Sequence, residues 1–161
     1  DSKAKFIYVL DEKDKIISTV DYREEIKNIA STGEVFNRNK LFTLDEESHK
    51  LYISLDNAVL VFNLMTNTFE KRFKNLPPFK KCIVSGRKIF LLFEAGSTNN
   101  HALAVIDEAR GKLLDLTVFG NIKDITLDKE NKKILALTEY SKSKPDYLIT
   151  VDLNEKSFKS I

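Results

Sequence analysis

The chain has 161 residues, 42% hydrophobic and 31% charged, the composition of an ordinary globular domain. Lys and Arg number 26 against 24 Asp and Glu, for a net charge of +2, and the charges are interspersed, so there is no basic footprint of a nucleic-acid binder. The one cysteine, Cys82, excludes an intrachain disulfide, and no apolar run approaches the roughly 18 residues of a membrane span.

β-Branched and aromatic residues gather in short runs, which suits strands. Lys5–Leu10 and Ile16–Val20 come first. A connector over 21–40 follows, and its middle, Arg23–Ala30, allows one or two helical turns with Ile26, Ile29 and Ala30 on one side. Four strands are then predicted at Leu41–Leu44, Leu51–Leu55, Val59–Asn63 and Thr68–Phe73, with Asp56-Asn57 as a two-residue hairpin turn. A second set reads Lys81–Val84, Ile89–Phe93, Ala102–Ile106 and Leu113–Val118, with a longer loop at Glu94–His101. A third reads Asp124–Leu127, Ile134–Thr138, Tyr147–Val151 and Ser157–Ile161, with a long loop at Glu139–Asp146. Every run is short and bounded by Asp, Asn, Gly or charged residues, which argues against buried helix.

The three sets repeat one unit, whose strands are termed a to d in chain order. Strand c ends alike each time: Val61-Phe62-Asn63, Val105-Ile106-Asp107 and Thr150-Val151-Asp152. Tyr8-Val9-Leu10-Asp11 is a fourth copy. The spacing is 44 residues from Asn63 to Asp107 and 45 from Asp107 to Asp152. Four strands at that period predict an all-β fold of β-propeller blades, about three and a half in this chain. The expected organisation is one propeller domain or propeller segment over 1–161. It comprises a half blade at 5–20, a connector at 21–40, and blades at 41–73, 81–119 and 124–161.

The stretches Asn63-Leu64-Met65-Thr66-Asn67-Thr68-Phe69, Asp107-Glu108-Ala109-Arg110-Gly111-Lys112 and Asp152-Leu153-Asn154-Glu155-Lys156-Ser157-Phe158 resemble the c–d turns of YncE-like, quinoprotein-like and NHL-like blades. An Asp or Asn at the head of that turn can cap its amides. The resemblance implies a propeller scaffold. The Gly-His and Trp-Asp dipeptides of WD40 repeats are missing, so any WD40 likeness is one of architecture. The tryptophan-docking motifs of quinoprotein dehydrogenases are missing too, and no cofactor is expected. A blade short of strands a and b leaves three readings: more chain, a ring closed by a half blade, or a second copy that supplies the rest. The chain opens at Asp1 rather than Met, which reads as a processed product, a domain or a fragment, and localisation is left open.

Blade topology puts the a–b and c–d turns at one end and the b–c loops and d–a connectors at the other. Every long connection falls in the second group, including Lys74–Lys80 with Pro77-Pro78. Binding tends to sit on such loops. Lys74, Lys80, Lys81, Asn99, Asn100, His101, Lys142 and Lys144 are the candidate partner-binding residues, with a preference for carboxylate-bearing or other anionic partners.

No metal site is expected. His49 belongs to an a–b turn and His101 to a b–c loop, at opposite ends. Asp11-Glu12-Lys13-Asp14 and Asp45-Glu46-Glu47 lack the spacing of a calcium loop. Cys82 reads as buried rather than nucleophilic. Phe42, Tyr52, Phe62, Phe90 and Phe93 read as core. No Walker loop, dinucleotide fingerprint or nucleophile elbow appears.

The leading expectation is therefore a non-enzymatic scaffold that binds a protein or peptide through its loop-rich end. One rival is a lactonase-like or lyase-like enzyme, or small-molecule binder, with a central pocket. Its inner strands would need convergent polar groups, and these strands offer little beyond Asp124, Thr43 and Thr126. Another rival is a self-assembling structural subunit.

Overall fold

The computed structural model describes residues 6–30, 41–55, 57–95, 100–119, 122–130, 132–138, 148–152 and 158–160. The chain divides into two compact units, Asp1–Leu76 and Pro77–Ile161.

The first unit opens with an antiparallel pair, β1 (Phe6–Leu10) and β2 (Ile16–Asp21). Helix α1 (Arg23–Ala30) follows, where the sequence allowed it. Tyr22 caps it, its carbonyl accepting the Ile26 N–H at 3.0 Å, while Asp21 Oδ1 accepts the Arg23 N–H at 3.0 Å. A four-stranded sheet then runs β3 (Leu41–Asp45), β4 (Lys50–Leu55), β5 (Ala58–Asn63), β6 (Thr68–Phe73), each strand beside the next. One face of this sheet, with Leu51, Ile53, Leu55, Leu60 and Phe62, packs against Ile7 and Val20 of the two-stranded sheet and Tyr22 and Ile26 at the helix. Each such side chain taken from water is worth about 1.5–3 kcal/mol.

The second unit contains two more such sheets. One is β7 (Phe79–Ser85), β8 (Lys88–Ala95), β9 (Asn100–Asp107) and β10 (Lys112–Phe119). The other is β11 (Ile122–Asp128), β12 (Lys133–Thr138), β13 (Leu148–Asp152) and β14 (Phe158–Ser160). Ile83, Phe90, Leu92, Leu103 and Val105 of the first face Ile122, Ile125, Ile134, Ala136 and Ile149 of the second in one core. The fold is all-β, built of propeller blades with four antiparallel strands, about three and a half of them.

The repeat is visible in hydrogen bonds. Asp11 Oδ1 accepts from the N–H groups of Lys13 (2.9 Å) and Lys15 (3.0 Å). Asn63 Oδ1 accepts from those of Met65 (2.8 Å) and Thr66 (3.1 Å). Asp107 Oδ1 accepts from that of Arg110 (2.9 Å). The Asp or Asn at the end of strand c thus caps the turn that follows, as the sequence implied. Further along, that turn needs a left-handed residue, filled by Asn67 (φ 56°) in one blade and by Gly111 (φ 65°) in the next. His49, Arg87 and Lys132 also have positive φ, each one residue before strand b.

In the first three c–d pairs one residue of strand d is left unopposed at a bulge, namely Ile17, Glu70 and Leu114. The two ends of a blade are also tied as the topology requires. The His49 carbonyl accepts the Leu64 N–H, and the Arg87 carbonyl accepts the Glu108 N–H, both at 2.9 Å, joining a–b to c–d turns. The Asn57 carbonyl accepts the Leu76 N–H at 2.9 Å, joining a b–c turn to a d–a connector.

Tyr52, Phe62, Phe90 and Cys82 are buried, and Phe93 is half-buried. Phe42 corrects its expectation, because it is 48% exposed and Leu44 beside it is 47% exposed. Both lie on the face of Leu51 and Ile53, their register partners. The cover formed by β1, β2 and α1 reaches β4 and β5, and β3 projects beyond it. The corresponding strand-a residues of the next blades, Cys82 and Ile125, are 5% and 1% exposed.

Candidate functional site

Four of the eight candidate residues, Lys80, Lys81, Asn100 and His101, lie in the second unit, where strands rather than loops hold them. Lys80 was expected in the connector before the blade, but β7 begins at Phe79 and includes it. Phe79 pairs with Phe93 and Lys81 with Leu92, so Lys80 is the extra residue of a bulge. A bulge re-aims a side chain out of the ladder. Asn100 and His101 were expected in the b–c loop. They are the first residues of β9 and pair with Ala95 and Glu94. Strand pairing therefore runs past the apolar runs into polar sequence at both places.

His101 is 3% exposed. Its Nδ1 accepts the Ile122 N–H at 3.1 Å, and its Nε2 meets Lys80 Nζ at 3.0 Å. The imidazole thus spans from the start of β11 to the bulge of β7, and one ring nitrogen satisfies a buried backbone donor. Lys81 Nζ reaches Asp124 Oδ1 at 2.6 Å, and the same oxygen accepts the Ile125 N–H at 2.8 Å. Lys81 and Asp124 occupy the same place in two successive strands a, each just after a bulge, at Lys80 and at Lys123.

Lys74 is exposed, directly after β6 in the first unit. Asn99, Lys142 and Lys144 lie outside the described residues, as does the whole of the loop Glu139–Asp146. Sequence reasoning missed two members of the cluster, the Ile122 amide and Asp124 as the partner of Lys81. Alignment of the repeats carries a signal for the second, since opposite charges stand at one repeat position.

The cluster offers cationic and hydrogen-bonding groups on rigid strands. Among the described residues no three His, Cys, Asp or Glu side chains gather to hold a metal ion. Asp124, which with Thr43 and Thr126 was the polar offering of the inner strands to a central pocket, is engaged by Lys81. Among the described residues no helix is long and apolar enough to cross a membrane.

No protein-family model and no curated protein matches the chain. Similarity to solved structures is extensive in fold and low in sequence. Hydrazine synthase from Kuenenia stuttgartiensis superposes with a TM-score of 0.62 at 13% identity, over 92% of this chain and 45% of that one. Sqt1 from Saccharomyces cerevisiae gives 0.56 at 11% identity, over 92% and 36%. A eukaryotic initiation factor gives 0.54 at 11% identity, over 77% and 33%. All three are β-propeller-like folds. This chain spans less than half the length of each. The class is therefore a β-propeller-like fold, partial with respect to these relatives.

Proposed function

We propose that the chain is a non-enzymatic scaffold, a propeller domain or a segment of one with YncE-like, quinoprotein-like or NHL-like blades. It binds a protein or peptide through its b–c and d–a end. The observation that carries this reading is Lys80, an exposed cation set by a bulge on a paired strand at that end, 3.0 Å from the buried His101 ring. A carboxylate or other anion on an extended peptide complements such a cation, because charge-assisted hydrogen bonds to it are the strong ones. A rigid platform also lowers the ordering cost of binding.

Site-specific photo-crosslinking tests this. A crosslinker at Lys74 or Lys80 is expected to capture a partner in extracts of the source cells, with competition by an acidic peptide. One at Lys13 or Arg110, in c–d turns, is expected to capture none. Capture from the turn end alone would overturn the reading.

A further inference from the structure

We propose that the open edge of β1 is completed by a β-hairpin that supplies strands a and b of the first blade and sets a lysine opposite Asp11. This goes beyond the loop-end reading and rests on other residues.

The first observation is β1 itself. Its sequence, Phe6-Ile7-Tyr8-Val9-Leu10, is apolar throughout, the mark of a strand buried on both faces. Strand c of the next blade, β5, fulfils that pattern, with Ala58 to Phe62 all buried. β1 has the same partner on one side, with the bulge at the same place, and among the described residues nothing on the other. Tyr8 is 56% and Leu10 48% exposed. Natural edges are blunted by charge, Pro or a bulge, and this one has none of these.

The second observation is register. In the three complete blades the last residue of strand c pairs with the first residue of strand b, and the strand-b residue is lysine each time: Lys50 with Asn63, Lys88 with Asp107, Lys133 with Asp152. Asp11 is the fourth member of that series. The N–H of the residue after it, Leu64 or Glu108, binds a carbonyl of the a–b turn in two blades. Glu12 is the corresponding residue in the half blade, and no such turn stands beside it among the described residues.

The third observation is Phe42 with Leu44. In a blade stack, strands a and b cover strand a of the following blade. Ile125 is covered in this way within the second unit. Phe42 and Leu44 are half exposed, and the first blade shows only β1 and β2 among the described residues. One hairpin would pair with β1, meet Asp11 and cover both.

The probe is a synthetic peptide of residues 41–55, the chain's own a–b hairpin, added to the full 161-residue chain. Amide exchange at Phe6–Leu10 is expected to slow about tenfold or more at saturation. A Lys50→Glu peptide is expected to bind about three- to tenfold more weakly. Asp11→Asn in the chain should abolish that discrimination and keep the turn, since Asn63 caps its turn equally. Phe42→Ser should weaken the peptide without altering the circular dichroism of the chain. Unchanged exchange at β1 overturns the proposal, and so does equal binding of the Lys50→Glu peptide. Protection of β1 without peptide, rising with a dimer in light scattering, would make a second copy the occupant and overturn the hairpin.

Discussion

Glu25 of α1 and Arg72 of β6 meet at two points, Arg72 Nε with Oε2 and Nη2 with Oε1, both at 2.5 Å. Glu25 is 7% exposed, and the Arg72 guanidinium also lies 5.7 Å from the centre of the Phe69 ring. The pair fastens the helix to the outer strand of the neighbouring sheet, and burial with a planar two-point fit keeps it from behaving as a loose surface contact.

Glu25→Ala should therefore cost about 1–3 kcal/mol, less than the 3–5 kcal/mol of a fully buried broken pair because Arg72 keeps partial access to water. Glu25→Gln should recover part of the loss. Urea denaturation of the three proteins checks this. A loss under about 0.5 kcal/mol for Glu25→Ala would mean that the pair is no stronger than a surface one.

The turn caps should rank by chemistry. Asn63→Ala removes an oxygen that accepts from two backbone N–H groups, at a cost of about 1–2 kcal/mol. Asp107→Asn keeps the acceptor but loses the carboxylate charge that its surroundings favour, so it should lower the denaturation midpoint, and by less than Asn63→Ala. Equal losses from both would show that charge rather than capping matters at this position.

His101→Leu should cost about 1–3 kcal/mol, because it leaves the buried Ile122 N–H without its acceptor. Lys80→Ala, which trims an exposed side chain, should stay within about 0.5 kcal/mol. Thermal unfolding of the two variants separates the structural half of the cluster from its exposed half.

Acid should weaken the fold through three carboxylates held below their ordinary range. Glu70 is lowered by the Asn63 side-chain hydrogen bond first and then by Lys50. Asp107 is lowered by the Arg110 amide first, and Asp21 by the Arg23 side chain first. A depressed folded pKa means that the unfolded chain takes up protons first. The stabilisation is present above the unfolded carboxylate value of about 4 and is lost as pH falls below it. Urea midpoints recorded from pH 6 to pH 2 should fall, and less steeply in Asn63→Ala. A flat profile would contradict the assignment.

Much of this architecture was legible in the residues. Short apolar runs marked the strands, and Asn63, Asp107 and Asp11 marked the ends of strand c because a capping side chain acts locally. Arg23–Ala30 was readable as helix from the spacing of its apolar residues. Lys80, Asn100 and His101 were misplaced into loops because their pairing is imposed by partners across the sheet, and a polar side chain on a bulge looks like loop sequence. Phe42 misled for a related reason. Its type suits a core, and its exposure depends on which strands the preceding blade possesses. The Lys81–Asp124 contact joins residues far apart in sequence, and only the alignment of one repeat with the next brings them together.

The bulges of Ile17, Glu70 and Leu114 have an effect on traffic at the sheet margins. Each interrupts the outermost strand of its sheet, so a flat strand arriving from outside finds donors and acceptors out of step. β1 presents an uninterrupted margin on its other side. Growth by strand pairing is thus discouraged at these three bulged strands and left open at the free margin of β1 among the described residues.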